Sequence, residues 1–123
     1  MTQNKLEIMM TMQKQFQEKV GFNFDEMSEK EKSSYIKEMM LWTSDEMSEA
    51  LHELKFAKGW SKKYDSWTED ETAEKEDKFK DEMVDAFHFF MNILIAAGMD
   101  ANELYERYIE KNKINILRQE TGY

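Results

Sequence analysis

The chain has 123 residues with no Cys and no Pro, and 26 Asp plus Glu stand against 17 Lys plus Arg for a net charge of −9. That length suits one domain with a real core, spanning 1–123, and the charge disfavours sequence-independent binding to nucleic acid, which needs clustered cations. There is no run near the ~20 apolar residues that span a bilayer, no basic-then-apolar secretory pattern and no disulfide staple, so the expected setting is the cytoplasm with no membrane partner.

With four glycines and no proline the chain offers few helix breakers. Gly21, Gly59 and Gly98 each follow an apolar-periodic stretch and are expected to close helices. The first helix runs over about 3–20, with Leu6, Met9, Phe16 and Val20 as its apolar stripe. A second, over about 30–58, carries Ile36, Met39, Met40, Met47, Leu51 and Leu54. The polar segment "SKKYDSWTEDETAEKEDK" separates it from a third helix over about 75–97, with Phe79, Met83, Ala86, Phe87, Phe90, Met91 and Leu94 on its apolar side. "DANE" at 100–103 is a capping box, Asp100 capping and Glu103 reaching back. It opens a fourth helix to about 118 whose buried side is marked by Tyr105, Ile109 and Ile116. No stretch alternates with a period of two, so the expected fold is all-α, a four-helix bundle-like arrangement without internal repeats. The 11 methionines read as adaptable core filling.

Two carboxylate pairs carry the chemistry. Helix two contains "DEMSEALHE", with Glu46 and Glu49 three residues apart, and helix three contains "DEMVDAFHFF", with Glu82 and Asp85 at the same interval. Each pair shares a helical face and abuts apolar positions. Four carboxylates at the edge of a core repel one another unless a cation sits among them. Oxygen-only ligands favour Mg²⁺ or Mn²⁺, and Mg²⁺ commonly takes substrate phosphates as further ligands. The competing explanation is a solvated helix face: Glu74 and Asp77 repeat the spacing with nothing apolar beside them, and are read as surface. The same helices also spell Glu49-x-x-His52 and Asp85-x-x-His88, the spacing of carboxylate-bridged di-iron bundles. Those sites need an inward Glu from each of the other two helices, and none lies in their stripes. His52 reads as a surface residue, and His88 as a hydrogen-bonded histidine, either in the core or directly behind a metal ligand, orienting a carboxylate.

The tail "KNKINILRQETGY" places Lys111, Asn115 and Arg118 within roughly 60° on one helical face. A Mg²⁺-bound polyphosphate would join the acidic pairs to these cations, and a helix C-terminus decorated with cations explains the trio equally well.

The paired E-x-x-E and E-x-x-D motifs, the "VDAFHFF" continuation and the Lys-x-x-x-Asn-x-x-Arg tail followed by "QETGY" resemble the dimeric all-α dUTPase family. That family sits in a wider all-α NTP pyrophosphatase group that includes MazG-like enzymes, and the similarity runs from about Leu6 to Tyr123. The resemblance implies that Glu46, Glu49, Glu82 and Asp85 bind Mg²⁺, and that Lys111, Asn115 and Arg118 contact the phosphates and sugar. It implies that Gln13 and Gln17, one turn apart, lie near the base, where an amide both donates and accepts. Phe56 or Trp60 would cover the base, and Lys58, Lys62 or Lys63 would close over the phosphates from an extended, mobile connection between Glu49 and Glu82. Implied too are hydrolysis of dUTP to dUMP and pyrophosphate, extending to dUDP, with Glu49 as the base that activates water, and a homodimer using Trp42, Phe89 and Phe90. The alternatives are a MazG-like pyrophosphatase acting on another deoxynucleotide, a di-iron bundle, and a non-enzymatic helical interaction module.

Overall fold

The computed structural model describes residues 4–122. Four helices, α1 (Lys5–Lys19), α2 (Glu29–Glu53), α3 (Glu69–Ala96) and α4 (Ala101–Glu120), are joined with short 3₁₀ turns at Phe24–Glu26 and Lys63–Ser66. Among the described residues there is no strand, so the fold is all-α as the patterning predicts.

Side-chain caps start every helix. Asn4 accepts from the Glu7 N–H, and Ser28–Glu31 and Thr68–Glu71 form reciprocal capping boxes. Asp100 accepts from the Glu103 N–H at 2.8 Å. The return half expected of that box is not made, because the Glu103 carboxylate is taken by Arg107 Nε at 2.7 Å.

The boundaries of α2 and α3 differ from expectation. α2 stops at Glu53 rather than near 58, and α3 begins at Glu69 rather than near 75. Thr68 and Glu71 cap α3, and Glu69, Asp70 and Glu71 lie where the helix dipole favours negative charge. The stretch between is folded around Tyr64, which is 2% exposed. Its hydroxyl accepts from the Lys58 N–H at 2.9 Å, and its ring meets Phe56 and Trp67 edge-on. Phe56 turns the chain at φ +65, a conformation that costs a side-chain-bearing residue free energy and persists because these contacts fix it. The connection is therefore a plug rather than an extended strap. Gly59 closes no helix, whereas Gly21 (φ +108) and Gly98 (φ +80) follow the ends of α1 and α3 as expected.

α2 and α3 run antiparallel: Tyr35 and Met39 pack with Ala96, Ile93 and Phe89, while at the other end Lys75 pairs with Glu53. α1 lies against α3, and Met10, Met91, Leu94 and Ala101 form a second cluster with Leu6 and Leu104 at its edge. Three polar side chains are buried with them, namely Gln13, Gln17 and Asn92. Gln13 Nε2 donates to Asn92 Oδ1 at 2.8 Å, Asn92 Nδ2 donates to Met39 Sδ at 3.5 Å, and the Tyr35 hydroxyl donates to Gln17 Oε1 at 2.8 Å.

The inward faces are not those that the stripes suggest. α1 turns Met10, Gln13 and Gln17 inward and leaves Met9, Phe16 and Val20 exposed. On α2, Met40, Met47 and Leu51 are exposed, as is Leu54 just beyond its end, and so are Met83, Phe87 and Phe90 on α3 and Tyr105 and Ile116 on α4. On α2 and α3 the apolar residues extend beyond the buried face, and on α1 the more apolar face is the exposed one. Met10, Met39 and Met91 fill the core as expected, whereas Met9, Met12, Met40, Met47 and Met83 stay outside it.

α4 leaves α3 at an angle of 101°, and its Ala101 and Leu104 join the core cluster. Among the described residues no single helix is long and apolar enough to cross a membrane.

Candidate functional site

The antiparallel pairing of α2 and α3 sets Glu46 and Glu49 opposite Glu82. One carboxylate oxygen from each lies within 4.8 Å of the others. Ala50 and Ala86, both buried, stand one turn beyond Glu46 and Glu82 and let the two helices approach closely. Among the described residues Glu46 Oε2 and Glu82 Oε2, both sealed from solvent, have no hydrogen-bond partner. Glu53 Oε2 is sealed as well, but Lys75 Nζ stands 3.0 Å away. A partnerless buried carboxylate oxygen is costly, and two aimed into one acidic cluster fit a divalent cation. The all-oxygen donor set suits Mg²⁺ or Mn²⁺.

The electrostatics agree. Glu46 is pushed up to about 7, first by burial, then by the Glu82 carboxyl, which is close enough to share a proton, and by the charges of Glu49, Glu82 and Asp85. Glu49 is raised too, first by loss of hydration and then by the charges of Glu82 and Asp45. Asp85 is exposed and acts on Glu46 from outside the triad.

This yields a prediction for the metal-free protein. Glu46 moves from an ordinary 4.5 to about 7 on folding, so between those values the folded state holds the extra proton. Stability therefore falls as pH rises through that window, and the contribution is gone above about 7. Melting temperatures measured in EDTA should decline from pH 5 to pH 8, the Glu46→Gln variant should flatten the decline, and Mg²⁺ should restore stability at the alkaline end.

The other expected residues are placed as follows. Gln13 and Gln17 are buried on α1, close to α3 and α2 through Asn92 and Tyr35. Lys58 and Trp60 are exposed on the connection, with Trp60 at 83% exposure and Lys58 held by its backbone to Tyr64. Lys111, Asn115 and Arg118 are exposed on the distal half of α4, outside the carboxylate triad. The expectation of a core position for His88 is corrected. It is exposed at the rim of an apolar groove between α1 and α3, because its side of α3 extends past the cover that α1 provides. Among the described residues it donates to no carboxylate. His52 is exposed as expected, and among the described residues neither histidine belongs to the carboxylate triad. Asn92 and Tyr35 were missed by pattern reasoning. The one signal for Asn92 was a lone amide inside the apolar run "FFMNILIAA".

Two curated relatives share part of this chain. A 70-residue stretch, 54% of this chain, is 41% identical to the dCTP pyrophosphatase of Enterobacteria phage LZ5 and covers 41% of that protein. A 46-residue stretch, 37% of this chain, is 46% identical to the dCTP pyrophosphatase of Enterobacteria phage T4 and covers 27% of it. The chain matches less than half the length of either relative. No family model and no solved structure matches it.

Proposed function

We propose that this chain is a divalent-metal-dependent nucleoside triphosphate pyrophosphohydrolase acting on a pyrimidine deoxynucleotide. The observation that carries the reading is the Glu46–Glu49–Glu82 triad with two sealed, partnerless oxygens. Both relatives are named for the same class of reaction, and their names favour dCTP as the substrate. A second reading, dUTP with dUDP, is favoured by the tail Lys111-x-x-x-Asn115-x-x-Arg118 and its "QETGY" continuation.

In this reading Glu46, Glu49 and Glu82, with Asp85 beside them, would hold Mg²⁺, or Mn²⁺ in its place. The metal, when bound, neutralises phosphate oxygens and lowers the cost of charge build-up on them. Glu49 is the exposed member of the triad, and its raised proton affinity suits it to accept a proton from the attacking water. Overall, water adds across the α–β phosphoanhydride, giving the nucleoside monophosphate and pyrophosphate. Lys111 and Arg118 grip phosphate oxygens and Asn115 the sugar, with Lys58 and Trp60 closing from the connection and Gln13 and Gln17 facing the base. His88, placed at the groove rim, has no assigned step.

The test is pyrophosphate release from dCTP, dUTP, dTTP and UTP, with phosphate release from dUDP, in Mg²⁺ and in EDTA. Turnover that requires the metal and is confined to deoxypyrimidines is the expected result. No turnover of any nucleotide would overturn the reading.

The exposed apolar faces support a homodimer as part of the same proposal. Met9, Met12, Phe16, Val84, Phe87 and Met91 line a groove of about 480 Å³ between α1 and α3. A second copy of the chain would remove the exposed apolar side chains Met9, Met12, Phe16 and Val84 from water, at roughly 25 cal/mol per Å² of apolar area, beside the Gln13 wall of the groove. Sedimentation should give twice the chain mass for the parent protein and the single mass for Phe16→Glu. A parent protein that sediments as a monomer would refute the dimer.

A further inference from the structure

Gln13 and Gln17 sit one turn apart on α1, and both amides are fixed by the core behind them. The Met39 thioether sulfur only accepts, so it takes the Nδ2 of Asn92 and leaves Asn92 Oδ1 facing Gln13. That oxygen in turn takes Gln13 Nε2 at 2.8 Å. Among the described residues Gln13 Oε1 accepts no hydrogen bond, and Gln13 lines the groove between α1 and α3. On the neighbouring turn the polarity is reversed. The Tyr35 hydroxyl, kept protonated by burial and by the nearby Glu38 carboxylate, donates to Gln17 Oε1 and leaves Gln17 Nε2 without an acceptor among the described residues. The pair thus offers one acceptor and one donor in a set sense. Asn92 lies seven residues beyond Asp85 on α3, about 10 Å along the helix. That separation is comparable to the distance from the base to the phosphates of an extended nucleotide.

We infer that Asn92 is a positioning residue that sets base selectivity: by pinning the Gln13 amide it presents Oε1 to the 4-amino group of cytosine and turns away the 4-oxo group of uracil. This rests on the pyrophosphohydrolase reading above and deepens it. An unpinned glutamine rotates its amide to suit either base, since exchanging Oε1 and Nε2 turns an acceptor into a donor at nearly the same place. A site whose polar group is committed in advance leaves the wrong substrate's group unpaired, and this is the strong form of discrimination. Met39 enters as the sulfur that gives the Asn92 amide its direction, and Asn92 touches the base only through Gln13.

The test compares kcat/KM for dCTP and dUTP in the parent protein, in Asn92→Leu, in Asn92→Asp and in Met39→Leu, with circular dichroism and melting curves confirming that each is folded. The parent should prefer dCTP. Asn92→Leu should lower the dCTP-to-dUTP ratio by at least tenfold, with the change falling on KM more than on kcat. Asn92→Asp, which keeps an acceptor for Gln13 Nε2, should retain the preference, and Met39→Leu should erode it partway. A folded Asn92→Leu protein with an unchanged ratio, or a parent that prefers dUTP, overturns the assignment while the pyrophosphohydrolase reading stands. Failure to hydrolyse any nucleotide overturns both, so the two failures are distinct.

Discussion

Glu82→Gln is expected to remove hydrolysis while making the metal-free protein more stable at pH 8. Loss of a residue that merely orients a metal ligand costs about 10–100-fold, so loss of a ligand itself should cost at least about 100-fold. Glutamine keeps one oxygen but removes the charge that draws a divalent ion. The stability change has the opposite sign for the same reason. Glu82 stands with Glu46 and Glu49 in a cluster that raises the proton affinity of both, and an amide there ends part of that repulsion and can donate to Glu46. Metal titration with calorimetric melting reads both effects on one sample. A variant that loses stability at pH 8 along with activity would mean that the carboxylate holds the fold together rather than holding a cation.

Met91→Ala should be the most damaging of the simple truncations. Met91 is 2% exposed and packs with Met10, Leu94 and Ala101, where α1, α3 and α4 meet. Truncating a buried Met to Ala costs about 2–5 kcal/mol through lost transfer energy and the cavity left behind. For a chain of this length that lowers the melting temperature by on the order of 10 °C. Urea unfolding should show the midpoint falling with little change in slope. By contrast Met12→Ala, on the exposed side of α1, should shift stability by only a few tenths of a kcal/mol in the monomer.

The helices were legible because Gly21, Gly98 and the Asp100 cap punctuate long 3.6-periodic stretches, and the carboxylate pairs because their spacing puts both members on one face. Which face of α1 points inward was not legible. Hydropathy ranks Met9 and Phe16 above Gln13 and Gln17, yet the glutamines are buried because Asn92 and Tyr35, distant in sequence, satisfy them. Long-range hydrogen bonds of that kind leave no periodic trace. The start of α3 was legible in principle: Thr68-x-x-Glu71 is a capping box, obscured by the charge of the residues after it. The plug around Tyr64 was not, since it depends on a left-handed Phe56 that no composition rule favours.

The limb formed by α4 has a thermodynamic consequence. From Tyr105 onward it makes little contact with the core, and Tyr108, Ile116 and Leu117 are all more than half exposed. A helix of such length standing alone in water is marginal. Any ligand or neighbour that grips Lys111 or Arg118 therefore also stiffens the limb. Association through α4 should release more heat than a rigid site of the same area would, and forfeit much of it as lost chain entropy. Calorimetry would see that compensation even where the equilibrium constant looked unremarkable.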